Sequence, residues 1–206
     1  YLAGHGVASV RMPNGAGDKA ALYATIGPQE RGGVCLSGHV DVVPVDGQPW
    51  ETDPFVLTDR GDGRLYGRGT CDMKGGVAVM LAVAVAATTP PRDLTWIFYD
   101  HEEVAAEDNS LTRVAREHPE WLAADFAVLM EPTSAKVEGG CQGTLRFTVT
   151  TKGKAAHSAR AWMGHNAIHD LAEVLAVLRD HEPEQPVVDG LRYHEGLNAV
   201  AVTGGI

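Results

Sequence analysis

Residues 34–74 read VCLSGHVDVVPVDGQPWETDPFVLTDRGDGRLYGRGTCDMK, and this stretch organises the rest of the chain. An apolar run ends in His39-Val-Asp41, a long polar loop follows, and Arg68-Gly-Thr-Cys-Asp72-Met-Lys74 opens an Ala/Val-rich segment. Alternate side chains of a strand share a face, so His39 and Asp41 can project together from the carboxyl end of the run. Imidazole suits zinc, and a nearby carboxylate commonly holds its second nitrogen. We therefore predict that His39 binds a metal and that Asp41 orients it, although His-x-Asp alone also fits an ordinary solvated strand end.

The composition is that of a globular chain. Its 206 residues suit one large domain or a domain and a half, and a hydrophobic share of 44% is ample for a buried core. The formal net charge of -10 would repel a nucleic-acid backbone or an anionic membrane, so neither is an expected partner. The longest apolar stretch, Gly75–Ala87, is too short to span a bilayer, and no signal peptide is recognised.

The three cysteines, Cys35, Cys71 and Cys141, form no C-x-x-C pair. Their odd number and their spacing argue against a disulfide framework and favour a reducing, cytoplasmic compartment. Cys71 directly precedes Asp72. We predict that it is a small residue buried beneath the site.

Two further apolar runs end in carboxylates. Leu94–Tyr99 is continuously β-branched and aromatic, as in a strand covered on both faces, and Asp100-His-Glu-Glu103 follows it. Asp125–Met130 is another predicted buried strand, and Glu131 follows it. Gly75–Ala87 lies between the run that ends at His39 and Leu94–Tyr99, and it predicts a buried helix. Ligands of open α/β sheets bind at the carboxyl ends of the strands, so these polar strand ends are expected to converge on one site.

The loop from Val40 to Gly63 is long for a connection inside a compact domain. An unanchored loop of this length would be unusual. We therefore expect Trp50, Pro54 and Phe55 to pin it against the body of the domain.

The pattern changes near Gly143–Leu145, where we predict a domain boundary with residues 1–143 on one side and 144–206 on the other. Leu145–Thr151 alternates between apolar and polar residues, as a half-exposed antiparallel strand does. Asn166–Asp180 has an apolar face at helical spacing, and Leu197–Val202 is predicted as a further strand. Strand, helix and strand in this order predict the beginning of a small α+β domain.

The candidate ligands are a mixed set of one imidazole and several carboxylates. Such a set is typical of catalytic zinc, whereas structural zinc prefers thiolates. A bridging carboxylate can hold two metal ions roughly 3.5–4 Å apart, and Asp72, between the loop and the helix, suits that bridge. The adjacent Glu102 and Glu103 point apart on extended backbone, so one can bind metal while the other takes the proton of the attacking water. A solvated acidic turn is the alternative for this pair in isolation.

Five motifs stand out together, namely Gly38-His-Val-Asp-Val-Val-Pro44, Tyr66-Gly-Arg-Gly-Thr-Cys-Asp-Met-Lys-Gly-Gly76, Glu102-Glu103, Met130-Glu-Pro-Thr133 and Ala156-His-Ser158. Together they resemble the co-catalytic di-zinc amidohydrolases and exopeptidases, a family that includes succinyl-diaminopimelate desuccinylase, acetylornithine deacetylase and carboxypeptidase G. The resemblance covers nearly the whole chain. It implies a zinc-exopeptidase-like α/β catalytic domain with a mixed, mostly parallel sheet, interrupted by a smaller ferredoxin-like α+β lid that dimerises.

The resemblance also implies the roles of the site residues. One zinc ion would be bound by His39, Asp72 and Glu131, and a second by Asp72 and Glu103, with cobalt as a substitute metal. Asp41 would not bind zinc itself but would orient the ligand His39.

Two catalytic roles are likewise implied by the resemblance. Glu102 would act as the catalytic base and acid. His157 would belong to the lid and reach the active site of the partner subunit in a homodimer, where it stabilises the tetrahedral oxyanion. Arg160, in the same lid motif, is the nearest candidate for a cationic contact with a substrate carboxylate.

The two halves of the chain give different hints about the N-acylated amino acid substrate. Residues from His39 to Asp72 look most like acetylornithine deacetylase, whereas the motifs from Leu94 onward are similar to actinobacterial succinyl-diaminopimelate desuccinylase. The second half is longer and more particular, so we expect hydrolysis of N-succinyl-LL-2,6-diaminopimelate to succinate and LL-2,6-diaminopimelate. Acetylornithine deacetylation, a related metallo-exopeptidase activity and a ligand-binding scaffold are the alternatives.

The family pattern further expects a histidine on the second zinc, near the end of the full protein. In this chain Leu197–Ile206 matches a lid strand that lies well before that position. We therefore interpret the chain as a fragment, and we expect these residues expressed alone to lack hydrolase activity.

Overall fold

The computed structural model describes residues 1–13, 20–28, 32–139 and 142–205, so Cys141 lies outside the described residues. The chain divides into two compact units, Tyr1–Lys136 and Val137–Ile206. This division precedes the domain boundary predicted between residues 143 and 144. Within the described part of the chain, no helix has the length and apolarity needed to cross a membrane.

The first unit contains seven strands and two α-helices in its described residues. The strands are β1 Ser9–Pro13, β2 Ala20–Ile26, β3 Val34–His39, β4 Thr58–Asp59, β5 Leu65–Tyr66, β6 Leu94–Tyr99 and β7 Phe126–Val128. The helices are α1 Gly75–Ala86 and α2 Ser110–Glu117. Five strands form one sheet in the order β1-β2-β6-β3-β7, and β4 pairs with β5 in a separate hairpin.

The main sheet mixes both strand directions. β1 and β6 each run antiparallel to β2, whereas β3 lies parallel to both β6 and β7. The register places His39 beside Tyr99 and Val34 beside Phe126. The predicted mixed α/β sheet is confirmed, and the three parallel strands bring their carboxyl ends to one edge.

Strand β6 separates two apolar layers because its side chains alternate between the faces of the sheet. One layer joins Trp96 and Phe98 to α1, and the other joins Ile97 and Tyr99 to α2. The buried residues contributed by the helices and the following turn are Met80, Ala84, Val114 and Trp121. The predicted burial of the Leu94–Tyr99 strand on both faces is thus confirmed.

Helix α1 approaches the sheet closely at Gly38. A Cβ atom there would lie 2.8 Å from Met73 Cε and 2.9 Å from Met80 Sδ. These distances are too short for carbon and sulfur atoms without a shift of both methionines. Glycine before His39 thus lets the side chains of Met73 and Met80 pack directly on the end of β3.

The loop after β3 is anchored by two of its three predicted residues. The Trp50 ring lies beneath the Arg68 guanidinium, at 5.0 Å from its Cζ atom, and the Pro54 carbonyl accepts the Arg68 N–H at 2.7 Å. The prediction that Phe55 packs against the domain is wrong, since its side chain is 70% exposed. Cation–π stacking and a backbone hydrogen bond hold this loop, rather than burial of its aromatic residues.

The second unit contains α3 Ala167–Arg179 and a short hairpin of β8 Val187–Val188 and β9 Leu191–Arg192. The helix confirms the predicted amphipathic segment, whereas the hairpin was not predicted. The strands predicted at Leu145–Thr151 and Leu197–Val202 are wrong, because neither segment is paired as a strand. Leu145 and Val200 are 83% and 93% exposed. An alternating pattern yields a strand only where a partner strand is available, and neither segment pairs with one in the described part of this unit.

Candidate metal centre

His39 stands at the carboxyl end of β3 and is buried, with 1% of its surface exposed. Its Nδ1 atom lies 3.2 Å from the backbone carbonyl oxygen of Asp41 and 3.5 Å from Asp41 Oδ1. Both oxygen atoms can accept a hydrogen bond from Nδ1. The opposite nitrogen, Nε2, lies 3.1 Å from Asp72 Oδ1 and 3.8 Å from Glu131 Oε1. Both ring nitrogens thus face oxygen acceptors, and with the proton held on Nδ1 by Asp41 a deprotonated Nε2 would be available to a metal ion between the two carboxylates.

Asp72 is presented by the turn Thr70–Lys74 in front of α1. The residue itself has extended backbone, with φ -116° and ψ 101°, and its peptide bond to Met73 is cis. The turn closes through the Lys74 N–H, which donates to the Gly69 carbonyl at 2.8 Å. About half of the Asp72 side chain stays exposed.

Cys71, the neighbour of Asp72, is exposed. The prediction that it is a buried residue beneath the site is wrong, because Met73 is the buried residue of this turn. Cys35 is the buried cysteine, and burial raises the pKa of its thiol to about 11. Both cysteines are free.

The acidic turn after β6 is held by Asp41. The two carboxylate oxygens of Asp41 accept the backbone N–H groups of Glu102 and Glu103, each at 3.2 Å. Asp41 therefore connects the imidazole of His39 with the acidic turn, a second contact that the sequence did not predict. Glu102 is exposed, whereas Glu103 Oε1 is buried and accepts no hydrogen bond within the described residues.

Two sets of ligand atoms converge at this edge of the sheet. Oxygen and nitrogen atoms of His39, Asp72 and Glu131 all lie within 4.8 Å of one another, and so do those of His39, Glu102 and Glu103. The five residues follow three different parallel strands or precede α1. They form one centre because the sheet brings those strand ends together.

The electrostatics of this centre favour a cation. Burial raises the pKa of Glu131, and the negative charges of Asp72 and Glu102 raise it further against the opposing effect of His39. Burial likewise raises the pKa of Glu103, together with Asp72 and Glu102. Burial alone would lower the pKa of His39, but its hydrogen bond with Asp72 and the charge of Glu131 raise it. The carboxylates thus repel one another unless a positive charge lies among them.

Two independent observations indicate that these donor atoms suit a metal ion. His39 Nε2 faces two carboxylates, and the buried Glu103 Oε1 atom has no hydrogen-bond partner in the described chain. One imidazole and several carboxylates suit zinc and other divalent ions of the first transition row. Metal coordination would satisfy both features at once.

His157 belongs to the second unit. It precedes the short 3₁₀ segment Ser158–Met163, and its Nδ1 atom accepts the N–H of Ala159 at 3.1 Å. The ring is exposed. Arg160 lies in the same segment and is also exposed. The structure brings together only those predicted residues that belong to the first unit.

Residues 35–197 match the model of peptidase family M20/M25/M40. This chain belongs to that family. The resemblance predicted from the motifs is therefore confirmed, and membership of this metallopeptidase family implies a divalent metal at the centre just described.

Two curated relatives illustrate the similarity. A succinyl-diaminopimelate desuccinylase of Corynebacterium glutamicum is 45% identical over 177 residues, which cover 84% of this chain and 46% of that protein. An acetylornithine deacetylase of Pasteurella multocida is 37% identical over 203 residues, which cover 93% of this chain and 50% of that protein. The chain thus spans about half the length of these relatives.

A solved structure supports the family fold. An M20 family metallo-carboxypeptidase from Sulfolobus solfataricus superposes with a TM-score of 0.56 at 21% sequence identity, over 84% of this chain and 41% of that chain. At this identity the likeness shows the fold alone.

Proposed function

We propose that this M20 chain carries the metal-binding and proton-transferring residues of an N-acyl amide hydrolase. The observation that supports the proposal is the convergence of His39, Asp72, Glu131, Glu102 and Glu103 at one edge of the sheet. The proposed substrate is N-succinyl-LL-2,6-diaminopimelate, which is cleaved to succinate and LL-2,6-diaminopimelate.

The geometry supports separate roles for the ligands. His39 and Glu131 would hold one zinc ion, Glu103 would hold a second, and Asp72 would bridge the two. The half-exposed side chain of Asp72 and the buried, unpaired Oε1 atom of Glu103 support this division. When bound, the metal ions supply a polarised substrate carbonyl and a water molecule of lowered pKa. Cobalt would serve as a substitute metal.

Glu102 is the proposed base and acid. Its side chain is exposed, while its backbone N–H is fixed by Asp41 at 3.2 Å. A carboxylate held at the mouth of the centre can accept a proton from the attacking water and return it to the leaving nitrogen. Water then adds across the amide bond, and a carboxylate and a free amine leave.

The second unit would supply the lid. We propose that residues 144–206 belong to a ferredoxin-like dimerisation domain and that His157 stabilises the oxyanion in the partner's active site. The exposed position of His157 is compatible with a role outside its own unit. Arg160 is the proposed contact for the second carboxylate of a succinyl group, because a guanidinium binds a carboxylate in bidentate geometry.

Substrate preference is tested by expressing the protein from its full-length gene and comparing kcat/KM for N-succinyl-diaminopimelate and N-acetylornithine. The proposal expects a preference for the succinyl substrate, since the relative of 45% identity is named for that substrate and the acetylornithine deacetylase is 37% identical. A preference for acetylornithine would replace the substrate assignment and keep the reaction type.

The catalytic role is tested with Glu102→Gln in the same protein. We expect kcat to fall by about 10²–10⁴-fold with little change in bound zinc, because loss of general acid–base catalysis has this magnitude. Glu107→Gln is the matched control, since Glu107 is an exposed glutamate of the same loop that belongs to neither ligand set. Near-normal hydrolysis by Glu102→Gln would remove Glu102 from its role, and absence of bound metal would favour a binding scaffold.

A further inference from the structure

Arg68 links two parts of the loop around the centre. Its guanidinium lies over the Trp50 ring, at 5.0 Å from the centroid, and donates a hydrogen bond to the side-chain oxygen of Gln48. The same nitrogen, Nη2, lies 3.5 Å from the carbonyl oxygen of Pro44. None of these partners is a candidate metal ligand, so the contacts do not belong to the centre itself.

Two more contacts link the turn before α1 to the end of β3. Lys74 Nζ donates to the Val40 carbonyl at 2.7 Å, and the Val40 N–H donates to Tyr99 at 2.8 Å. Between the two cations, the turn touches the loop directly, because a Cβ atom at Gly69 would lie 2.4 Å from Val42 Cγ1. The turn before α1 and the segment after β3 therefore lie side by side.

The residues that form these contacts lie on both sides of Asp72 and Asp41 along the chain. Asp72 lies between Arg68 and Lys74 along the chain, and Asp41 lies between the carbonyl groups of residues 40 and 44 that these cations contact. Segment 40–45 lies outside the strands, and the carbonyl groups of Val40 and Pro44 are contacted by Lys74 and Arg68 at the surface of the unit.

We propose that Arg68 and Lys74 are positioning residues of the metal centre, which hold the Asp72 turn against the segment that carries Asp41. They act through the two aspartates on either side of the His39 ring and touch neither substrate nor metal. This inference rests on the metal centre proposed above. It predicts that loss of either cation weakens metal binding and changes the coordination geometry, although every metal ligand is still present.

Cobalt titration tests the inference, because the visible absorption of bound Co²⁺ reports both its affinity and its coordination geometry. The variants are Arg68→Met, Arg68→Lys and Lys74→Met. Arg60→Met is the matched control, since Arg60 also stacks on an aromatic ring, that of Tyr66 at 4.2 Å, and forms an ion pair with Glu51 at 2.6 Å. Thermal unfolding without metal shows whether each variant keeps its fold.

Arg68→Met and Lys74→Met are expected to weaken Co²⁺ binding by about 10–100-fold and to change the absorption spectrum, as loss of groups that orient metal ligands does. Arg68→Lys should lose less, because it keeps a cationic donor and loses the planar, stacked group. It also tests the inference should Arg68→Met fail to fold. Arg60→Met should bind Co²⁺ with the affinity and spectrum of the unchanged protein.

Wild-type affinity and spectrum in both Arg68 variants would overturn the inference, as would an equal loss in Arg60→Met. These outcomes leave the metal centre intact and are distinct from its failure. If the unchanged protein binds no Co²⁺, the proposed centre fails, and the inference fails with it.

Discussion

The two units differ in how far their apolar residues are covered. In the first unit, β6 is buried on both faces, and Trp96 has no exposed surface. In the second unit, apolar residues of the predicted strands stay exposed, as does Trp162 at 79%. A continuous apolar run is buried where sheet neighbours and helices cover it, as in β6. The run Asp125–Met130, predicted as a buried strand, forms only the short edge strand β7, in which Phe126 is 64% exposed.

The largest expected difference in stability comes from the replacement of one tryptophan in each unit. Trp96→Ala should lower the free energy of unfolding by about 3–5 kcal/mol, because it leaves a large cavity between the sheet and α1. Trp162→Ala should change it by no more than about 0.5 kcal/mol, since its side chain is exposed. Urea denaturation followed by circular dichroism measures both, and equal losses would break the contrast.

A histidine–aspartate pair from each unit can be compared, and the two pairs should differ in their effect on metal binding. Asp41→Ala should weaken zinc binding by about 10–100-fold, because Asp41 orients both His39 and the acidic turn. Asp170→Ala, which removes the partner of His165 at 2.7 Å in the second unit, should leave it unchanged. Titration calorimetry compares the two variants, and an equal effect would mean that zinc binds elsewhere.

The pH dependence of stability separates the metal-free from the metal-bound first unit. The folded-state pKa values of Glu103 and Glu131 lie above 4.5 and that of His39 lies above 6.5. A group with a raised folded-state pKa contributes stability below its unfolded value, and this stability is lost as pH rises through the folded value. Without metal, stability should therefore fall as pH rises above about 4.5, and it should fall further above about 6.5 as the histidine deprotonates.

Zinc should reverse this trend, because it binds the deprotonated ligands. Thermal unfolding temperatures measured across this pH range with chelator and with zinc provide the test. The double variant Glu103→Gln/Glu131→Gln should flatten the metal-free profile. A metal-free protein that gains stability over the same range would contradict the assigned shifts.

The smallest expected effects come from the helix caps, one in each unit. Asn109 accepts the N–H of Leu111 at 2.8 Å at the start of α2, and Asn166 accepts that of Ile168 at 2.9 Å at the start of α3. Substitution of either by Ala should cost about 1 kcal/mol. Hydrogen exchange resolved by residue should place the loss in α2 for the first variant and in α3 for the second. A loss spread over both units would show that they unfold together.

Most of the centre could be predicted from the sequence, because its ligands lie at the ends of apolar runs that can be recognised as strands on their own. His39 ends β3, Glu102 and Glu103 follow β6, and Glu131 follows β7, so parallel pairing places them at one edge. The hydrophobic run Gly75–Ala87 likewise predicted helix α1 almost to the residue, but the predicted burial is wrong, since only Met80 and Ala84 are buried and Val79 is 51% exposed.

The contacts that support the centre could not be predicted in the same way. Asp41 contacts the backbone of Glu102, 61 residues away, and Lys74 contacts Val40, 34 residues away. Backbone N–H and carbonyl groups are the partners in both cases, and these groups carry no residue-specific pattern. The exposure of Phe55 and Cys71 escaped prediction for a related reason, since local composition does not reveal which side of a loop meets the domain.

Zinc anomalous scattering from crystals of the zinc-loaded protein tests the central claim most directly. The account predicts a zinc peak within about 2.0–2.2 Å of His39 Nε2 and of carboxylate oxygens of Asp72 and Glu131. Zinc bound at other residues, with none beside His39, would contradict it.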